Sequence, residues 1–329
     1  AQWQMLAART DDVTAAKVAG DSVFLLSHKN APTFQILRLR IGQPLASARV
    51  LVPAVADRVI EAMYPASDGL YVLTRKRAYS QLLRVAYTSG AAEQIALPFE
   101  GLISEAFADP RRPGITINLQ SFVTPPSMMS YDPARKAFAD LKLGVSGSYD
   151  ATRYEVLDLD ARAKDGVTVP QTLMRSKDAK GPQIVVLQAY GFYGISQVAT
   201  FSARTVSFLE AGGSYAVCHV RGGGELGEQW RLAGKDANKP NSWRDLIACA
   251  EDLIAKGHTT REQLFLFSKS AGGITVGRAL TERPDLFAGV VAGVPGANTL
   301  RVEFQPAGPM NIPEFGTITT EEGFRNLYA

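Results

Sequence analysis

Histidine is scarce in this chain, three residues in 329, and cysteine is scarcer still at two. Two cysteines cannot build a disulfide framework, so Cys218, in an apolar strand pattern, and Cys249, in a helix pattern, are expected to be inert core thiols. His28, His219 and His258 show neither His-Glu-x-x-His spacing nor a companion Cys pair, so no metal and no cofactor is expected. No run reaches the ~18 consecutive apolar residues that a membrane span needs, which argues against a membrane partner. Charge of one sign is lacking too. The 35 Lys and Arg are balanced by 32 Asp and Glu, well interspersed, and without a basic stripe nucleic acid is not an expected partner. The start, Ala1-Gln2-Trp3-Gln4-Met5, has no initiator Met and no charged-then-apolar order, and reads as an interior start.

What is present is an ordinary globular composition, 46% hydrophobic and 20% charged, over a length that suits two domains. The first ~145 residues read as strands and turns throughout. Gln35-Ile36-Leu37-Arg38-Leu39 recurs 46 residues later as Gln81-Leu82-Leu83-Arg84-Val85, and a second shift of 46 lands on Met129. Upstream of each lies a turn and a short apolar strand: Gly20-Asp21 before 23–26, Asp68-Gly69 before 70–73, Pro113-Gly114 before 115–117. A period near 45 with several strands per unit predicts β-propeller blades, about three of them, where a closed ring takes ~4 to 8. An irregular β-sandwich also accommodates short strands at regular spacing.

After Tyr154 strand patterns alternate with helix patterns, which predicts a mostly parallel sheet covered by helices. Strands are expected over 184–187, 215–218, 264–267 and 289–292. Helices are expected over 205–211, 243–256 and 271–283, the second capped by Ser242 and stopped by Gly257. The chain order is that of an α/β-hydrolase domain.

The segment Leu264-Phe265-Leu266-Phe267-Ser268-Lys269-Ser270-Ala271-Gly272-Gly273 carries the chemistry. An apolar strand runs into a tight turn and then a helix, with Ser270 at the apex, the context of a nucleophile elbow. Ser268 stands where the usual G-x-S-x-G has its first glycine. An ordinary strand–turn–helix joint would look similar. Upstream, Arg221-Gly222-Gly223-Gly224-Glu225 lacks the Gly-Lys-Ser/Thr of a phosphate loop and is read as a tight backbone passage in which Arg221 and Glu225 are structural.

Several motifs together resemble the prolyl oligopeptidase family. They are Arg221-Gly222-Gly223-Gly224-Glu225-Leu226-Gly227-Glu228-Gln229-Trp230, Asn238-Lys239-Pro240-Asn241-Ser242, the elbow, and Arg283-Pro284-Asp285-Leu286-Phe287, in the family's order and spacing. Ser121-Phe122-Val123-Thr124-Pro125-Pro126 is similar to the end of its propeller. The likeness covers about residues 10–329 and is strongest over 184–294. It implies an α/β-hydrolase domain over 148–329 and a partial all-β propeller over 1–147, together a serine peptidase of short peptides. It also implies Ser270 as nucleophile and Tyr190 as an oxyanion donor beside the Ala271 backbone N–H. Asn311 falls where proline-specific members carry an aromatic, and Glu314 is a candidate for a basic or amino-terminal group of a peptide.

A serine nucleophile needs a base, nearly always a histidine oriented by a carboxylate, and in this fold the order is Ser, Asp, His. No histidine follows Ser270, and Asp285, the one aspartate there, belongs to a helix end. The Asp and His are therefore expected outside this chain, on a longer product or on a second polypeptide, and the chain alone is expected to be inactive. An ester or acyl hydrolase on the same scaffold and a non-catalytic binding relative are the alternatives.

Overall fold

A computed structural model describes residues 4–144 and 149–328. The expected boundary between 147 and 148, the terminal residues 1–3 and Ala329 lie outside the described residues. Contacts divide the chain into two units. One is built on the residues up to Ser148 with Val198–Phe201 and Leu226–Glu228; the other on Tyr149–Gln197, Ser202–Glu225 and the residues from Gln229 onward.

The first unit holds three four-stranded antiparallel sheets, each a simple meander. They comprise β1–β4 (Val13–Ala19, Ser22–Ser27, Gln35–Arg40, Arg49–Val52), β5–β8 (Val59–Ala66, Gly69–Lys76, Tyr79–Val85, Ala92–Ile95) and β9–β12 (Leu102–Phe107, Ile115–Gln120, Ser127–Asp132, Ala137–Asp140). The repeat legible in the sequence is the second and third strand of each sheet. Leu37, Leu83 and Met129 sit on β3, β7 and β11, and the apolar strands upstream are β2, β6 and β10. The unbroken apolar run of β6 follows from burial on both faces. Leu70 and Val72 pack with Phe24, Leu26 and Ile36 of the first sheet. Tyr71 and Leu73 pack with Ile115, Ile117 and Leu119 of the third. Side chains that alternate across a strand thus serve two stacked sheets, the arrangement of propeller blades.

The second unit is built on a six-stranded sheet of β13 (Tyr154–Arg162), β14 (Thr168–Ser176), β15 (Val185–Gln188), β16 (Ser214–Cys218), β17 (Leu264–Lys269) and β18 (Gly289–Gly293), ordered β13-β14-β16-β15-β17-β18. From β16 to β18 every pairing is parallel, while β13 and β14 join antiparallel. Helices α1 (Ala203–Glu210), α2 (Glu228–Leu232), α3 (Pro240–Ala255) and α4 (Gly272–Glu282) accompany the sheet, and the short α5 (Ile312–Phe315) and α6 (Glu321–Tyr328) follow. Val185, Leu187, Ala216, Leu264 and Leu266 form one apolar core with Leu246, Ala250 and Leu253 of α3 and Val276 and Ala279 of α4. This is the α/β-hydrolase arrangement.

Two expectations are corrected here. Cys218 and Cys249 are not free thiols; they form a disulfide that ties the end of β16 to the middle of α3. The strand end and the helix face meet with Cα atoms 6.1 Å apart, inside the range a bridge can span. Ser242 does not cap α3. The helix begins two residues earlier, at Pro240, whose ring suits the first turn. The freed Ser242 hydroxyl donates to the Arg221 carbonyl at 2.6 Å. Gly257 ends the helix in a left-handed conformation (φ 75°), as expected.

Candidate active site

β17 delivers the chain to Lys269 and α4 takes it away from Gly272, so Ser270 and Ala271 alone make the corner. Ser270 sits at φ 54°, a left-handed conformation that costs a non-glycine residue free energy and persists only where its surroundings enforce it. Here three hydrogen bonds enforce it. The Ser270 N–H donates to the Gly293 carbonyl at 2.9 Å, and its own carbonyl accepts from Gly273 and Gly296, each at 3.0 Å. The side chain is left exposed.

The small residues around the corner have separate duties. Ser268, in place of the motif's first glycine, is buried and donates to the Ala189 carbonyl at 2.6 Å. Thr275 on α4 donates to the carbonyl of Tyr190 at 2.8 Å. A Cβ on Gly272 would stand 2.1 Å from Ser268 Oγ and 2.8 Å from Tyr190 Cδ2, and one on Gly273 would stand 2.4 Å from Pro295 Cβ. Gly272 therefore lets the segment after β15 come close against the elbow, and Gly273 does the same for the segment after β18.

That approach brings Tyr190 beside Ser270. Burial raises the phenol's pKa, and the adjacent Ser270 hydroxyl draws it part of the way back. Tyr190 stays a neutral O–H donor at ordinary pH. The Ala271 N–H has no acceptor among the described residues. It lies at the N-terminus of α4, where the helix dipole favours negative charge. The corner thus offers an exposed hydroxyl with a phenolic donor and an amide donor beside it.

The glycine run after β16 is the surface against which residues 190–197 are packed. A Cβ on Gly222 would stand 2.1 Å from the Gly191 carbonyl oxygen, and one on Gly224 would stand 2.4 Å from that of Gly194. Gly194 donates back to the Gly222 carbonyl at 3.1 Å. Glu225, buried, accepts the Gln197 N–H at 2.7 Å. Arg221 anchors the run from below, with its Nη2 2.6 Å from Asp245 Oδ1 and its Nη1 2.6 Å from Asp165 Oδ2. Arg221 and Glu225 are structural, the role expected of them.

Asn311 and Glu314 gather around Tyr193, three residues beyond Tyr190. The Tyr193 hydroxyl donates to Asn311 Oδ1 at 2.8 Å, and the Tyr193 N–H donates to Glu314 Oε1 at 2.8 Å. Glu314 is buried, with Lys239 Nζ 3.9 Å away. Glu314, the candidate for a basic or amino-terminal group of a peptide, is occupied here in holding the Tyr193 backbone. The rings of Phe192 and Phe315 lie 5.3 Å apart and join the same cluster.

No histidine completes the site. His28 lies one residue past β2 in the first unit, its ring 5.3 Å from Phe34. His219 is buried, its Nε2 3.0 Å from Thr172 Oγ1 and its Nδ1 3.8 Å from Glu225. His258 follows α3, with its pKa lowered by burial. Among the described residues, none of the three rings is hydrogen-bonded to Ser270. No group of three or more His, Cys, Asp or Glu among them is placed to hold a metal ion, and no helix is long and apolar enough to cross a membrane.

Comparison with known proteins agrees with this architecture. The sequence model of the prolyl oligopeptidase family matches residues 199–328, and that of the family's N-terminal β-propeller domain matches residues 2–142. The chain is 28% identical to the prolyl endopeptidase of Elizabethkingia meningoseptica over 93% of its own length and 43% of that protein. It is 31% identical to the peptidase y4qF of Sinorhizobium fredii over 86% of its length and 40% of that protein. Among solved structures it superposes on a prolyl endopeptidase with a TM-score of 0.90 at 27% identity, covering 95% of this chain and 47% of the other. Oligopeptidase B from Leishmania major follows at 0.83 and 25%, covering 95% and 46%. The chain spans less than half the length of these relatives. Matched by both family models, one to each unit, it belongs to the prolyl oligopeptidase family.

Proposed function

We propose that the chain supplies the nucleophile and the oxyanion donors of a serine peptidase acting on short peptides. Ser270 Oγ attacks the scissile carbonyl and forms an acyl-enzyme, while the Tyr190 O–H and the Ala271 N–H hold the oxyanion. A histidine takes the Ser270 proton and passes it to the leaving amine, and water then releases the acyl group. That histidine, and the aspartate that orients it, belong to polypeptide outside this chain, either a longer product or a second chain. In the same reading residues 1–147 are propeller blades and 148–329 the first part of the hydrolase domain.

The observation that carries this is the exposed Ser270 at φ 54°, with one side-chain donor and one backbone donor beside it. Peptide as the substrate class is supported by the relatives named prolyl endopeptidase and oligopeptidase B. Asn311, held by Tyr193, stands where proline-specific members carry an aromatic, so strict proline preference is not part of the proposal. The test is turnover of short peptide amides by the complete gene product. Ser270→Ala is expected to abolish it, and an acyl adduct on the Ser270 peptide is expected in quenched reactions. Full turnover by Ser270→Ala would refute the assignment.

A further inference from the structure

The turn that carries Tyr190 bends through three left-handed residues, Gly191 at φ 82°, Tyr193 at φ 58° and Gly194 at φ 66°. A backbone turned this sharply inside a protein needs fixed partners for its carbonyls and amides. One ion pair supplies two of them. Lys239 Nζ donates to the Gly191 carbonyl at 2.5 Å and stands 3.6 Å above the centre of the Phe192 ring. Glu314, 3.9 Å from the same Nζ, accepts the N–H of Tyr193. Glu314 is buried, its side chain 7% exposed, and the Lys239 side chain is mostly covered at 14%. The other side-chain donor near the Gly191 carbonyl, Ser242 Oγ, is at 3.5 Å, the limit of a hydrogen bond.

We propose that Lys239 is a positioning residue for the reaction: its ammonium group, paired with Glu314, fixes the Gly191 carbonyl and through it the Tyr190 phenol beside Ser270. This rests on Tyr190 acting as an oxyanion donor. Lys239 touches no reacting atom. Its effect passes through one peptide unit, and a donor displaced by a fraction of an ångström loses much of its value in the transition state.

The clamp is sensitive to pH. Burial lowers the Lys239 pKa to about 8; Glu314 and Asp236 favour the charged form and Lys235 opposes it. Lys239 and Arg278 of α4 both line a cavity of about 480 Å³. Because the pKa is lowered, the ammonium persists below about pH 8 and is lost above it. The attraction to the Phe192 face and to Glu314 is lost with it. The neutral amine still donates to Gly191, but less strongly.

The test uses Lys239→Met and Lys239→Arg in the complete gene product, with kcat and KM measured from about pH 6 to 9.5 across the titration range of a lysine so perturbed. Wild-type kcat is expected to decline through about pH 8. Lys239→Met is expected to lower kcat about tenfold at neutral pH with KM within about threefold, and to abolish the alkaline decline. Lys239→Arg, charged at every pH used, is expected to recover kcat and to remain active on the alkaline side. Wild-type kcat with the alkaline decline intact in Lys239→Met, or an intact decline in Lys239→Arg, would overturn the proposal. Should thermal melting show Lys239→Met unfolded, the Lys239→Arg profile decides alone. Ser270→Ala and Tyr190→Phe run beside them separate the two readings. If Ser270→Ala is inactive, Tyr190→Phe slow and Lys239→Met normal, only the clamp is refuted; a fully active Ser270→Ala refutes the catalytic reading, and a fully active Tyr190→Phe refutes the oxyanion role on which the clamp rests.

Discussion

Replacing Gly272 by alanine tests the elbow at its tightest point. The new methyl would sit 2.1 Å from Ser268 Oγ and 2.8 Å from Tyr190 Cδ2, and the two collisions have different consequences. Relieving the first forces Ser268 out of its 2.6 Å bond to the Ala189 carbonyl, and a buried carbonyl left unpaired costs about 1–3 kcal/mol. Relieving the second moves the Tyr190 ring back by roughly 0.7 Å to reach ordinary carbon–carbon contact. Misplacement on the order of 1 Å at a catalytic group lowers rate about a hundredfold, so Gly272→Ala should reduce kcat by roughly 30- to 100-fold. Adding Ser268→Gly removes the 2.1 Å collision and leaves the 2.8 Å one. The double variant is relieved of that steric collision but still lacks a side-chain donor for the Ala189 carbonyl, and its kcat should stay low because the Tyr190 ring remains displaced. Activity restored in the double variant would show that Tyr190 is not the group being displaced.

Two further outcomes follow from the same geometry. Tyr190→Phe keeps the ring and deletes the O–H, so kcat on peptide amides should fall about 10²–10³-fold with little change in KM; an unchanged kcat would remove Tyr190 from the oxyanion site. Reducing the Cys218–Cys249 bridge, whose ends are 31 residues apart in sequence, should cost the hydrolase unit about 3.7 kcal/mol on the chain-entropy estimate. Fluorescence of the buried Trp230 and Trp243 during denaturant unfolding, with and without reductant, reads this directly; identical midpoints would contradict it.

Much of the site was legible because the relevant signals are local. An apolar tetrad, a serine and three small residues suit an elbow or an ordinary strand–turn–helix joint, and residues 264–273 form a strand, a two-residue corner and the start of a helix. The blades were legible through a repeat, since each sheet reuses the same turn and strand spacing. The disulfide was not, because two cysteines 31 residues apart carry no pairing signal until a strand end and a helix face are brought together. The β13–β14 hairpin was missed although Tyr154-Glu155-Val156-Leu157-Asp158-Leu159-Asp160 partly alternates; a search for helices between parallel strands passed over it. Lys239 entered the sequence reading only as part of the motif 238–242, and Glu314 only as a candidate for a peptide's basic group. Their pairing depends on α3 and α5 meeting at one turn, which no short-range pattern encodes. Thr275 gave no signal at all: a threonine on a helix reveals its hydrogen bond to Tyr190 only in three dimensions.

In the proposed reading Ser270 is built for attack and takes its proton acceptor from outside this chain. Labelling with a fluorophosphonate, read by mass spectrometry of the Ser270 peptide, is the test of that reading. The complete gene product should be labelled stoichiometrically at Ser270, and residues 1–329 alone should label negligibly, because a serine hydroxyl without an imidazole is a weak nucleophile. Rapid labelling of the isolated chain, or labelling of the complete product at a different serine, would contradict the claim.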